Sequence, residues 1–319
     1  MRKCSVIYLK LALLKKETQL NSFSMFLNQL INGLQLGSIY ALIALGYTMV
    51  YGIVKLINFA HGDIMMMGAY AGYFVLRAMG TGFSGMACAF LAAMVFCALL
   101  SLVIERFAYR PLRNAPRLNS LITAIAVELI LQNLMRVLPF VGPNPRQYPT
   151  VPLKQFNLGG ICTISNLQII VIVSAAVLML VLNFIVNYTK TGKAMQAVSF
   201  DMQASALMGI NVNKTIAITF VIGSVLAGAG GVLYATAYPQ IEPTMGYIPG
   251  LKAFVAAVLG GIGSIPGAMF GGVILGIAET MTKAYLSSQY ADAISYSLLI
   301  IILLVKPTGI FGKKRTVKV

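Results

Sequence analysis

Three polar residues stand together inside apolar sequence: Asn58, His61 and Asp63 in LINFAHGDIMMMGAY. Ionisable side chains at the centre of a membrane helix cost about 2.5 to 3.5 kcal/mol on insertion scales, so they need a partner or a purpose. The chemistry open to this trio is hydrogen bonding to a polar solute, or relay of a proton or ion. Helix capping is the plainer alternative, because a carboxylate in a first turn suits the N-terminal dipole. Glu128 and Glu279, single carboxylates on long apolar stretches, read first as hydrogen-bond anchors. Met65, Met66 and Met67 read as packing and not as a metal relay.

A second set lies in GGIGSIPGAMFGG, where Gly260, Gly261, Gly263 and Ser264 form a candidate break beside Pro266. Proline is suited to the first turn of a helix, so a new helix is expected to start there. Gly263, Gly267 and Gly271 recur every four residues, the spacing of a flat face for close helix approach. Helix packing and lining of a pathway are both open, and the two are compatible.

A third set is polar, YTKTGKAMQAVSFDMQASALMGINVNKT from Tyr188 to Thr215. It reads as one short surface helix closed by Gly209, a residue able to take a left-handed cap. Within 189–214, Lys193, Asp201, Gln203, Ala204, Ser205 and Gly209 are the residues expected to meet a partner outside the membrane.

Enzyme chemistry finds few tools in this chain. It holds one histidine and eight carboxylates. Gly192-Lys193 is followed by Ala194 where a phosphate loop needs Ser or Thr, and Asn187 stands where its first glycine belongs. No metal or cofactor is expected on this chain. Cys4, Cys88, Cys97 and Cys162 form no close pair and read as small packing residues.

The elements that must position these residues are membrane helices. Hydrophobic residues make up 58% of the 319, and charged ones 10%, against about 25% in soluble domains. Apolar runs occur at roughly 28–45, 47–59, 61–79, 85–104, 119–138, 166–188, 215–238, 250–263, 266–285 and 291–305. The fold expected is therefore an all-α polytopic membrane protein of about ten transmembrane segments. Two of them, 47–59 and 250–263, are too short to span a core of about 30 Å and read as half-helices or broken crossings.

Charge placement fixes the expected orientation. With the N-terminus inside and ten crossings, 17 of the 24 Lys and Arg residues fall on one side, in 1–27, 105–118, 189–214 and 306–319. That explains the net charge of +16 as a cytoplasmic excess and not as a nucleic-acid surface. Both termini are expected in the cytoplasm, and Arg77, Arg136, Lys252 and Lys283 are expected to snorkel from helix ends. The loop 139–165, with five of the twelve prolines, is expected outside as an ordered non-helical lid. Segments 28–104 and 215–305 both read full, short, full, full, a weak internal repeat entering the membrane in one sense. Residues 1–24 read as a basic leader, either an interfacial helix or the product of an upstream start before Met25, with the transmembrane domain running from 25 to 319.

These residues resemble the branched-chain amino acid permeases of bacterial ABC importers, in particular the H-type subunit of the leucine/isoleucine/valine system. The likeness rests on Asn32–Tyr70, on ERFAYRPLR (Glu105–Arg113), on the docking segment, and on Lys252–Glu279. It implies a heterodimer with a second permease in the bacterial inner membrane, two cytoplasmic ATPases that hold ATP and Mg, and an external binding protein. Gln203-Ala204-Ser205 and Gly209 match the spacing of the loop such permeases insert into their ATPases, with glutamine in place of its glutamate and its I-x-L-P tail missing. The mechanism implied is ATP-driven alternating access. Permeases for urea, amides or sugars share this composition, and an ion-coupled secondary transporter using Asp63, His61 or Glu128 is the alternative of another class.

Overall fold

In the computed structural model, residues 2–55, 58–113, 115–150, 152–158 and 162–312 are described, without the side chains of 2–21 and 117. The expected leader and the basic tail after residue 312 therefore fall largely outside the described side chains. Eleven α-helices are seen among the described residues. The first four are α1 (Arg2–Val54), α2 (His61–Met79), α3 (Phe83–Ile104) and α4 (Arg117–Val137). They are followed by α5 (Asn166–Tyr188), α6 (Lys190–Phe200), α7 (Met202–Leu207), α8 (Val212–Ala237), α9 (Tyr247–Gly260), α10 (Ile265–Tyr285) and α11 (Tyr290–Val305). Six stretches are long and apolar enough to cross a membrane: Ser22–Val54, Phe83–Leu112, Leu118–Val137, Asn166–Tyr188, Val212–Ala237 and Ile265–Tyr285. Between α3 and α4 lie a π-helical turn, Glu105–Tyr109, and a 3-10 turn, Arg110–Leu112.

The loop 139–165 is ordered and non-helical where described. β1 (Arg146–Gln147) pairs antiparallel with β4 (Gln240–Ile241), and β2 (Gln155–Leu158) with β3 (Cys162–Ser165). Asn28 Oδ1 accepts from the Thr163 N–H at 3.0 Å and Gln168 Nε2 donates to Asn32 Oδ1 at 2.6 Å, so the starts of α1 and α5 share one end of the bundle with this loop. The other end carries α6 and α7. Arg113 joins the α3–α4 connection to Asn213 in the first turn of α8, and the Ile310 N–H donates to the Leu259 carbonyl at 2.9 Å, placing the C-terminal segment there too.

Two sequence expectations are corrected here. The runs 28–45 and 47–59 are not two crossings but one helix, of which Ser22–Val54 is the apolar part, 33 residues long. Gly46 does not break it, because its missing side chain serves a contact: a Cβ there would strike the His61 ring. Removing that crossing puts the start of the apolar part of α1 at the loop end. That start and the segment around Ile310 thus lie at opposite ends of the bundle among the described residues.

The repeat is also corrected, from one sense to opposite senses. Gly33 faces Ile277 and Gly37 faces Val273, so α10 runs antiparallel to α1; Gly46 faces Gly223 and Gly230 faces Ile43, so α8 does as well. α1 runs toward the docking end, and after a break α2 starts at mid-height and heads back. α8 runs toward the loop end, and after a break α9 starts at mid-height and heads toward the docking end. Packing is reciprocal: α1 lies on α10 and α3 on α8. The expected symmetry is real, but inverted.

Candidate functional site

The N-termini of α2 and α9 meet where the two breaks converge. A Cβ on Gly62 would collide with the Gly246 carbonyl, and one on Gly246 with the Gly62 carbonyl, so the meeting requires glycine on both helices. Gly46 and Gly223 pass at the same level, about 12 Å before the end of α1 and about 16 Å from the start of α8 at 1.5 Å per residue.

The first polar trio is brought together here. Asn58 is buried, its carbonyl accepts from the His61 N–H at 3.1 Å, and its Oδ1 accepts from the Tyr109 hydroxyl at 2.6 Å. His61 is 1% exposed, stacks edge-on against Tyr47 at 4.8 Å, and its Nε2 finds no partner among the described residues. Asp63 sits in the first turn of α2 but makes no cap bond; Ala60 is the N-cap. Its carboxylate instead accepts from Gln132 Nε2 of α4 at 3.2 and 3.3 Å, and the same amide lies 3.5 Å from Glu128 Oε1. Gln132 therefore bridges two carboxylates, and no Lys or Arg pairs with either among the described residues.

These groups open onto a concavity with about 220 Å³ of open space, lined by Asp63, Glu128, Tyr47, Phe59, Gly62, Tyr247 and Leu251. A second concavity follows on the docking side, lined by Tyr47, Tyr51, Phe254, Ala257 and Ile262. Tyr47 borders both, and Phe254 lies 6.0 Å from Tyr47 and 6.1 Å from Phe59. The face as a whole is an acidic pocket at mid-height running into an aromatic wall.

The glycine set is not in the polar cluster but at the far end of that wall. Gly260 ends α9, Gly261 and Gly263 take positive φ of 106° and 92°, and Ser264 caps α10 by accepting from the Gly267 N–H at 3.2 Å. The break therefore falls at 260–265, where Pro266 placed it. Gly267 packs on Gly260 and Gly271 on the Ala256 carbonyl, while Gly272 and Gly276 admit α1 at Ala41 and Gly37. The stripe packs α10 between α9 and α1, but Gly263 stands in the turn and not on its helical face.

The docking stretch is two helices, not one. Asp201 interrupts it, and its carboxylate accepts from the N–H groups of Gln203 and Ala204 to start α7, which the sequence pattern merged with α6. α6 turns Gly192, Met195 and Val198 inward against the bundle. Lys193, Gln203 and Ala204 are exposed and Ser205 is buried. Gly209 closes α7 at φ 82° with open space around it. Leu207 and Met208, 89% and 83% exposed, give the knob an apolar tip that the motif match did not single out.

Sequence reasoning missed a buried charge network. Lys252 does not snorkel: its Nζ lies 2.7 Å from Glu279 Oε1 and 2.7 Å from Asp292 Oδ1. Lys283 reaches the same Glu279 oxygen at 2.6 Å, and the Tyr40 hydroxyl donates to its other oxygen at 2.9 Å. Only the Glu279–Lys283 spacing of four was visible in sequence. The other partners sit on α1, α9 and α11, which no local pattern joins.

Residues 29–303 match a family model described as a branched-chain amino acid transport system permease component. The chain is 44% identical over 306 residues to the high-affinity branched-chain amino acid transport system permease protein LivH of Escherichia coli K12, covering 93% of this chain and 99% of that one. It is 42% identical to the corresponding permease BraD of Pseudomonas aeruginosa, covering 92% and 98%. Among solved structures, PsaBC from Streptococcus pneumoniae in complex with Fab aligns at a TM-score of 0.47 and 14% identity, over 93% of this chain and 97% of that one.

Proposed function

The chain belongs to the branched-chain amino acid transport permease family, and on that premise we propose that it moves leucine, isoleucine and valine across a bacterial inner membrane. As the permease subunit of an ABC importer it is a transport subunit, not an enzyme, and ATP hydrolysis lies in separate subunits. Its partners in this reading are a second permease, two cytoplasmic ATPases and an external binding protein. The observation that carries the reading is the end-to-end likeness to LivH.

The geometry supplies groups suited to a zwitterion with an aliphatic side chain. Asp63 and Glu128 offer negative charge to the ammonium group. The opposed N-termini of α2 and α9 offer peptide N–H groups to the carboxylate, as half-helices do at the mid-plane of inverted-repeat transporters. Tyr47, Phe59 and Phe254 offer apolar surface to the side chain. Substrate would enter at the loop end, rest at mid-height, and leave along the Tyr47–Ile262 wall by alternating access. The docking end is cytoplasmic in this reading, because the described residues of the basic stretches 105–118 and 189–214, together with Lys306, lie there.

Reconstitution of the chain with its ATPases, partner permease and binding protein in proteoliposomes is the test. ATP-dependent leucine uptake, competed by isoleucine and valine but not by urea or ribose, is expected. Asp63→Asn and Glu128→Gln should each lower uptake per assembled complex by about tenfold, the loss of one charge-assisted hydrogen bond. Uptake that proceeds without ATP, or that these substitutions leave unchanged, would overturn the proposal.

A further inference from the structure

A line of hydrogen bonds, exposed at its docking end and buried at Tyr109 and Asn58, connects the docking knob to the polar junction. It begins at Asn213, four residues after Gly209, whose Oδ1 accepts from Arg113 Nη1. The other terminal nitrogen of Arg113 pairs with Glu105, a 4% exposed carboxylate in the π-helical turn. That turn is closed by the Arg110 N–H donating to the Glu105 carbonyl, five residues back, and it places Glu105 and Tyr109 inward while Arg106 and Phe107 face out. Tyr109 then reaches Asn58 at 2.6 Å, with its ring 5.4 Å from Phe220 of α8. Asn58 in turn holds the first turn of α2, through its carbonyl and the His61 N–H.

Resting on the importer reading above, we propose that Arg113 and Tyr109 are positioning residues that carry movement of the docking knob to the N-terminus of α2, and so to His61 and Asp63. Each end of the line is tied to a different partner. Arg113 bridges α8's start and the π turn, and a planar guanidinium can hold both at once where a lysine cannot. Tyr109 bridges the π turn and the α1–α2 break. The turn between them suits the task. A π turn is a rare single-turn bulge with a wider, i to i+5 bonded loop that occurs frequently at functional sites, so it is suited to shifting register between its neighbours. The described residues of the break that it pulls on, 55 and 58–60, are not helical and offer little to resist.

The experiment uses the full complex in proteoliposomes and reads three quantities from each preparation: assembled complex, ATP hydrolysis with and without substrate-loaded binding protein, and uptake. Tyr109→Phe keeps the ring against Phe220 and removes only the hydroxyl. Arg113→Gln removes the bridge, and Arg113→Lys keeps the charge without the fork. Tyr109→Phe and Arg113→Lys are expected to leave assembled complex and basal hydrolysis unchanged, while Arg113→Gln, which orphans the buried Glu105, is expected to lower assembled complex and is read per complex. Uptake per complex, and the stimulation of hydrolysis by the binding protein, should fall about fivefold, the weight of one buried hydrogen bond. The double variant Tyr109→Phe, Arg113→Gln should lose no more than the worse single one, because both break one line. Uptake per complex within about twofold of the unsubstituted chain, a loss that only tracks assembled complex, or losses that multiply in the double variant would each overturn the link. Absence of ATP-dependent uptake in the unsubstituted chain would overturn the importer reading instead.

Discussion

At the residue scale, the molecule treats buried charge in two ways. Glu279 is surrounded by Lys252, Lys283 and the Tyr40 hydroxyl, so its charge is matched within the protein. Asp63 and Glu128 share one amide donor and no cation among the described residues, which on the proposed importer reading leaves them to meet the substrate's ammonium group. The difference predicts different phenotypes. Lys252→Met should lower the melting temperature of the purified complex by several degrees. Breaking a buried pair costs about 3 to 5 kcal/mol when one charge is orphaned, and Lys283 and Tyr40 hold the cost toward the lower end. Adding Glu279→Gln should recover part of the loss. A thermal-unfolding assay in detergent checks this, and an unchanged melting temperature for Lys252→Met would remove the network's structural role.

At the element scale, the docking knob depends on two local devices, the Asp201 cap that starts α7 and the left-handed Gly209 that ends it. Because no atom lies near a Cβ placed on Gly209, substitution there tests backbone conformation and not packing. Gly209→Val should cost about 1 to 3 kcal/mol of local strain and redirect the chain into α8. Uptake should collapse while membrane levels stay near normal. Gly209→Asn should retain most uptake, since asparagine enters the left-handed region with little penalty. If the valine and asparagine variants transport equally well, the conformation of the cap is irrelevant to coupling. Both devices were visible in the sequence as residue types, yet the split into α6 and α7 was not. An Asp within a polar run signals a cap only once the chain around it is known to turn.

At the scale of the whole molecule, the opposite senses of α1–α2 and α8–α9 place the start of the apolar part of α1 and the segment around Ile310 at opposite ends of the bundle. In intact cells expressing a chain free of native cysteines, an impermeant thiol reagent should label Ser22→Cys and Gln147→Cys. It should spare Arg113→Cys and Gln203→Cys, with all four exposed after permeabilisation. Protection of Ser22→Cys together with labelling of Gln147→Cys would restore a separate crossing at 47–59 and dissolve the inverted repeat. Close helix approach underlies this architecture: Gly62 against Gly246, Gly68 against Gly228, Gly46 against the His61 ring and Gly37 against Val273. In lipid, where helices gain no hydrophobic drive to associate, such small-residue contacts are what hold a bundle.

The sequence alone determined the membrane class, most helix positions, the break before Pro266, the non-helical course of the described part of 139–165 and a polar helical stretch within 189–214, because hydropathy, proline and glycine act locally. It also carried the family likeness that the comparisons bear out. Tertiary structure decided what local signals leave open. Whether Gly46 breaks a helix or admits the His61 ring depends on α2 returning to it. Whether Lys252 snorkels or pairs depends on Glu279 lying across from it. The sense of the repeat followed from one merged helix, since each added or lost crossing reverses one end of the chain relative to the other. Polar residues at 58, 61, 63 and 128 stood out in the apolar sequence, but only packing could bring them beside the start of α9, because the chain between them is more than a hundred residues long.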